Sequence, residues 1–201
     1  MKRIKIWNEE ASSRQLDDIC ASLEAGETMV MPTDTLYAIA CDALCPKAIE
    51  KICRLKGINP EKTNLSIICA DISMAAEYAR FDNYAFKLLK ECTPGPFTFI
   101  FKSASKLPKA FKGRKLVGVR IPGNRLCRDI AERLGHPLLT TSIEYADPDY
   151  ARDPELIAEA YDGKADLMLL GEEGDTTPSS IVDCTGTSPE IVRQGKGRIN
   201  D

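Results

Sequence analysis

Apolar runs in this chain are short, and between them lie longer stretches whose apolar residues recur at every third or fourth position. A run of a few residues suits a buried strand, whereas the longer period suits a helix packed by one stripe. Alternation of the two along the chain leaves a mixed α/β domain around one twisted sheet as the consistent architecture, a single domain over residues 1–201. There is no internal repeat or low-complexity linker to divide it.

The predicted helices are marked by their caps. Ser12 or Ser13 caps one that carries Leu16, Ile19, Cys20 and Leu23 on one face and ends at Gly26. Pro46 starts a second, with Ile49, Ile52, Cys53 and Leu55 on its buried side, and Gly57 stops it. Further helices are expected from Ile72 to Tyr78, Tyr84 to Lys90, Arg125 to Leu134 behind Asn124, and Pro154 to Tyr161. Strands are expected at Met29 to Met31, Leu65 to Cys69, Phe97 to Phe101, Val117 to Ile121, Leu138 to Ser142, Leu167 to Leu170, Ser180 to Val182 and Ile191 to Arg193.

Four places in this pattern invite chemistry. Pro32 ends the first strand and exposes Thr33, Asp34 and Thr35 before a second apolar run, so polar side chains stand on packed structure, either for a ligand or for a turn that satisfies its own backbone. Arg120 sits inside an apolar strand, where its charge needs a partner: an anionic ligand or a core carboxylate. Lys56, at a helix end, either reaches a ligand or complements the helix dipole. The glycines of Gln194-Gly195-Lys196-Gly197-Arg198 allow close approach to a phosphate.

Composition excludes several classes. With 43% apolar and 28% charged residues the chain is ordinary for a soluble globular protein, and the start, Met1 to Trp7, lacks the apolar core of a secretory signal. No run is long enough to span a bilayer. The eight cysteines sit mostly inside apolar runs and lack zinc spacing, which fits buried thiols in a reducing cytoplasm and no metal cage. A lone histidine, His136 in a Gly-His-Pro turn, gives little basis for a triad. Net charge is −3, but Lys102 to Arg128 holds nine basic residues and no acidic one, while Glu144 to Asp175 holds eleven acidic residues. That segregation offers a basic surface around Lys112, Arg114 and Lys115 for RNA or phosphate. Neither common nucleotide loop is present, so any nucleotide is held by another design.

Taken in order, the blocks Met31-Pro-Thr-Asp-Thr-Leu-Tyr, Ile52-Cys-Arg-Leu-Lys-Gly, Thr93-Pro-Gly-Pro-Phe-Thr, Val117-Gly-Val-Arg-Ile-Pro, Thr140-Thr-Ser and Ser179-Ser-Ile-Val-Asp, with Val192-Arg-Gln-Gly beyond, cover most of the chain. Together they resemble the YrdC-like family of threonylcarbamoyl-AMP synthases. The resemblance implies a twisted α/β domain with a basic concave face. It also implies an enzyme that condenses L-threonine, bicarbonate and ATP, with Mg²⁺ accompanying the ATP, into threonylcarbamoyl-AMP and pyrophosphate for tRNA modification. By position, Thr35, Arg120, Thr140 and Ser180 would hold threonine, and Lys56, Ser142 and Arg193 would face the nucleotide, with no covalent nucleophile. This chain departs from the family pattern at Ile58, Leu116 and Glu144, where arginine, threonine and asparagine are usual, and at Ala38, where glycine is usual. Those departures resemble the YciO branch. The same cationic surface is also consistent with a second class, a protein of the same fold that binds tRNA or double-stranded RNA with weak or no synthase activity.

Overall fold

A computed structural model describes residues 1–59, 65–104, 106–107, 115–144 and 150–199. The described residues form six helices and one mixed sheet of eleven strands. The strands are β1 (Lys2–Lys5), β2 (Met29–Met31), β3 (Ala38–Asp42), β4 (Ser66–Ile68), β5 (Ala79–Arg80), β6 (Phe97–Ser103), β7 (Leu116–Arg120), β8 (Leu138–Ser142), β9 (Leu167–Leu170), β10 (Ser180–Asp183) and β11 (Glu190–Arg193). The helices are α1 (Ser13–Glu24), α2 (Pro46–Leu55), α3 (Ile72–Tyr78), α4 (Asn83–Cys92), α5 (Arg125–Leu134) and α6 (Pro154–Ala160). Across the sheet the order is β1-β9-β2-β3-β8-β4-β7-β6-β10-β11, with β5 attached to β6.

The expected caps form. Ser12 and Gln15 make a reciprocal capping box at α1, Asn124 accepts from the Cys127 N–H at α5, and Gly26 and Gly57 take left-handed φ values of 82° and 60° just past α1 and α2. Predicted strand and helix bounds hold to within a residue or two. Three strands fall outside the sequence reading: β1, β5 and β3, the last of which is in sequence only a second apolar run after Thr35. β1 alternates charge with isoleucine because it is an edge strand, paired only with β9 and carrying its lysines in solvent. β5 is two residues long and follows directly on α3.

Side chains on successive strand residues point to opposite faces of the sheet, and the two faces are covered unequally. One face packs Ile39, Ile67, Leu139, Phe99, Val119 and their neighbours beneath α2, α3, α4 and α6. The opposite face is covered by α1 and α5 over Met29, Met31, Ala40, Ile68, Leu138 and Leu167. Beyond that apolar patch the same face carries Thr140, Ser66 and Gly118 in one row of register, then Thr98 and Ile181 in the next. No helix among the described residues packs there. The sheet is therefore apolar where helices cover it and hydroxyl-rich where they do not.

Gly118 keeps this part of the face open, since a Cβ built on it would lie 2.6 Å from Ser66 Oγ and 3.2 Å from Thr98 Cγ2. A glycine inside a strand often marks such a close approach. Because the serine hydroxyl can rotate, Gly118→Ala should cost about 1 kcal/mol in denaturant unfolding, at the low end for overpacking, and Ser66→Ala in the same chain should recover most of it.

Candidate functional site

The loop from β2 to β3 carries Thr33, Asp34 and Thr35, which divide between the turn itself and contacts beyond it. Thr33 makes the turn: its Oγ1 donates to Leu36 O at 2.6 Å and accepts from Thr35 N at 3.1 Å. Asp34 and Thr35 meet Arg120 instead. Arg120 Nη2 donates to Asp34 Oδ1 at 2.8 Å and to Thr35 Oγ1 at 3.1 Å. Asp34 Oδ2 accepts from the Gly123 N–H at 2.7 Å, so one carboxylate ties the turn after β7 to the loop after β2. The core carboxylate is thus present, yet it does not exhaust the arginine. Among the described residues Arg120 Nε is a buried donor with no hydrogen-bond partner, and the side chain is 9% exposed. An unmatched buried N–H of this kind is costly in a core and expected where a ligand completes it.

This guanidinium borders a cavity of about 170 Å³ on the uncovered sheet face. Six hydroxyl residues line it: Ser66, Thr98, Thr140, Thr141, Ser142 and Ser179, with Arg193 on the far side. Arg193 Nε and Nη2 both donate to Ser179 O, at 3.1 and 2.8 Å, and Ser179 Oγ lies 2.9 Å from Thr98 Oγ1. Partial burial and the neighbouring Arg120 charge push the Arg193 guanidinium below its ordinary pKa. Two like charges converge on one hydroxyl-lined space, and an anion placed between them relieves both.

On the other side of the cluster Thr35 and Asp34 line a wider cleft of about 460 Å³, together with Arg152, Glu173, Asp175 and Lys196. Lys196 Nζ donates to Asp34 O at 2.9 Å and pairs with Asp175 Oδ2 at 2.8 Å. The hydrogen bond from Lys196 holds the Asp175 carboxyl down to about 2 from 3.8. Its stabilising contribution is therefore complete above pH 3.8 and lost as pH falls through about 2. This cleft is mixed in charge, and the basic character of the region belongs to Arg120, Arg193 and Lys56.

Of the residues singled out from sequence, Arg120, Thr140, Ser142 and Arg193 line the small cavity, and Thr35 touches it through Arg120. Lys56 stands at the rim, donating to the carbonyl of Ser142 at 2.9 Å and pairing with Glu144 Oε1 at 2.9 Å. Ser180 is turned away from the cavity. Its hydroxyl donates to Gly197 O at 2.6 Å and accepts from Gly195 N at 2.9 Å, which fastens the C-terminal loop to the sheet, and Ser179 lines the cavity in its place. Of the proposed RNA or phosphate surface, Lys112 and Arg114 lie outside the described residues, and Lys115 is exposed. Other charges of that basic segment are taken up locally, Lys106 by Glu77, Arg125 by Glu10 and Arg128 by the Pro122 and Gly123 carbonyls.

Ser66, Thr98, Thr141 and Ser179 were not legible as site residues, although Gly118 inside an apolar strand was a usable signal. The chemistry open to this set is binding and charge neutralisation. No cysteine lines the small cavity, and burial pushes Cys41, Cys69 and Cys127 well above the ordinary thiol range. Tyr37, fully buried, is pushed up to about 12 by burial and spends its hydroxyl bridging Gly171 N and Glu172 O.

Removing the arginine leaves the Asp34 carboxylate, 12% exposed, without its cationic partner. Arg120→Ala should therefore destabilise the chain by about 3–5 kcal/mol in chemical unfolding, and Asp34→Asn in the same chain should recover part of the loss. Arg120→Lys should fall short of the wild type, because an ammonium lacks the planar fork that serves Asp34, Thr35 and the cavity at once.

Comparison with known proteins agrees with this geometry. The Sua5/YciO/YrdC family model, described as Telomere recombination, matches residues 21–195. YciO of Escherichia coli strain K12 is 32% identical over 197 residues, covering 96% of this chain and 95% of that protein. The crystal structure of E. coli YciO matches with a TM-score of 0.90 over 98% of each chain. The threonylcarbamoyl-AMP synthase of Homo sapiens is 36% identical over 156 residues, which are 77% of this chain and 55% of that protein. Sua5 of P. abyssi, solved complexed with L-threonine, shares the fold at a TM-score of 0.87 and 23% identity, covering 97% of this chain and 58% of that one. With a family model across most of its length and relatives at this identity, the chain belongs to the Sua5/YciO/YrdC family.

Proposed function

We propose that this protein is a threonylcarbamoyl-AMP synthase-like enzyme, taking L-threonine, bicarbonate and ATP to threonylcarbamoyl-AMP and pyrophosphate for tRNA modification in the cytoplasm. The observation that carries the reading is the buried, unpartnered Nε–H of Arg120 beside a cavity of about 170 Å³. A space of that size suits an amino acid and is too small for a whole nucleotide. Arg120 would take the carboxylate, while Thr140 and its hydroxyl neighbours offer partners to the side-chain hydroxyl. The human synthase among its relatives, and the threonine complex of P. abyssi Sua5, support the same substrate.

In this reading the threonine amine attacks bicarbonate, a C–N bond forms and water leaves. The carbamate oxygen then attacks the α-phosphorus of ATP, and the α–β anhydride breaks to release pyrophosphate. The protein supplies orientation and charge. Lys56 and Arg193 face the polyphosphate and neutralise charge as pyrophosphate departs. Mg²⁺ would ride on the phosphate oxygens, because Asp34 and Asp175, the carboxylates nearest the loop, are already engaged by Arg120, Gly123 and Lys196. No group of three metal-type side chains occurs among the described residues.

A second reading, an RNA-binding protein of this fold, draws on Lys102 and Lys115, which are exposed at one end of β6 and β7. It predicts charge-driven affinity that salt removes. The test of the main reading is pyrophosphate release. Release should require ATP, L-threonine and bicarbonate together, and omission of either threonine or bicarbonate should return it to background. Pyrophosphate formed equally without threonine, or none formed at all with RNA bound tightly at low salt, would overturn it.

A further inference from the structure

Lys56 and Glu144 form an ion pair whose two halves are held very differently. The lysine is fixed: it caps α2, its side chain is 10% exposed, and its ammonium is directed onto the Ser142 carbonyl at the rim of the small cavity. Among the described residues the glutamate is otherwise held by its backbone, where Glu144 N donates to Tyr161 Oη at 3.1 Å, while its side chain is 73% exposed. Its carboxylate therefore reaches inward from solvent to a buried cation. An ion pair that is open to water on one side contributes little, so the carboxylate is readily displaced. Its charge nevertheless stays beside the cavity and opposes any anion that displaces it.

We propose that Glu144 is an internal counter-anion that determines how much negative charge the site accepts. It occupies the Lys56 ammonium when the site is empty, and a polyphosphate gains that ammonium only by expelling it. This rests on the proposed function, with threonine in the cavity and the polyphosphate at its rim, and it assigns the selection among anionic ligands to a residue that does not line the cavity itself. A singly charged ligand held by Arg120 has no need of Lys56 and meets no such opposition. The penalty grows with ligand charge, so it falls on ATP more than on AMP.

Glu144→Gln keeps the size and the exposed position and removes only the charge. Calorimetry with L-threonine, AMP, ATP and inorganic tripolyphosphate reads the effect on the full chain. Expected is an affinity gain of about 5-fold or more for ATP and tripolyphosphate, less for AMP, and none for L-threonine, the ion-pair contribution and the lost repulsion acting together. The gain should shrink at high salt and disappear in a Lys56→Met background. Unchanged or weaker tripolyphosphate binding by Glu144→Gln, or a gain that persists without Lys56, overturns the proposal. If Glu144→Gln gains tripolyphosphate but neither protein binds ATP or AMP, the counter-anion role stands and the nucleotide reading falls.

Discussion

A guanidinium placed inside a sheet must find its charge partner within the fold, and that requirement organises this molecule. Arg120 is carried by β7, between β4 and β6, where its side chain is buried. Asp34 answers it from the loop after β2, and the same carboxylate takes the Gly123 N–H beyond β7. Two loops far apart in sequence are thereby fixed against each other by one buried pair, in a setting where losing either partner leaves an uncompensated charge. Asp34 takes only one nitrogen of the fork. The Arg120 Nε–H, held in place by that pairing, is buried and has no hydrogen-bond partner among the described residues.

What that guanidinium borders follows from how the sheet is covered. Helices α1 and α5 seal one end of the face, and Ile68 and Leu138 mark the limit of their apolar patch. Past that limit β3, β8, β4, β7 and β6 offer a small or hydroxyl residue each, Ala38, Thr140, Ser66, Gly118 and Thr98, then Ile181 follows on β10 and Arg193 on β11 closes the row. A site mounted on strands is held more rigidly than one mounted on loops. The last segment supports it from outside, where Ser180 binds Gly195 and Gly197 and Lys196 reaches Asp34.

Most elements were legible because caps and periodicity are local properties, and Ser12, Pro46, Gly57 and Asn124 acted where they stood. Arg120 was legible as a problem, a charge in an apolar strand, but its solution required Asp34 from 86 residues away. Register hid the rest. Ser66, Gly118 and Thr140 become neighbours only when β4 pairs with both β7 and β8, and no short-range pattern announces that pairing. Ser179 and Ser180 differ by one residue in an alternating strand, so the face each takes depends on register as well. The dense positive charge from Lys102 to Arg128 looked like one surface in sequence, yet the fold pairs Lys106, Arg120 and Arg125 with carboxylates from other elements.

The central claim, that Arg120 holds a donor in reserve for a substrate carboxylate, can be read at the atom concerned. Nitrogen-15 spectroscopy resolves arginine Nε–H groups, and the Arg120 resonance is identified by its loss in Arg120→Lys. Addition of L-threonine should move that resonance in a saturable way, while the exposed arginines, such as Arg152, stay unchanged. Saturable threonine binding that leaves the Arg120 Nε–H resonance where it was would contradict the account.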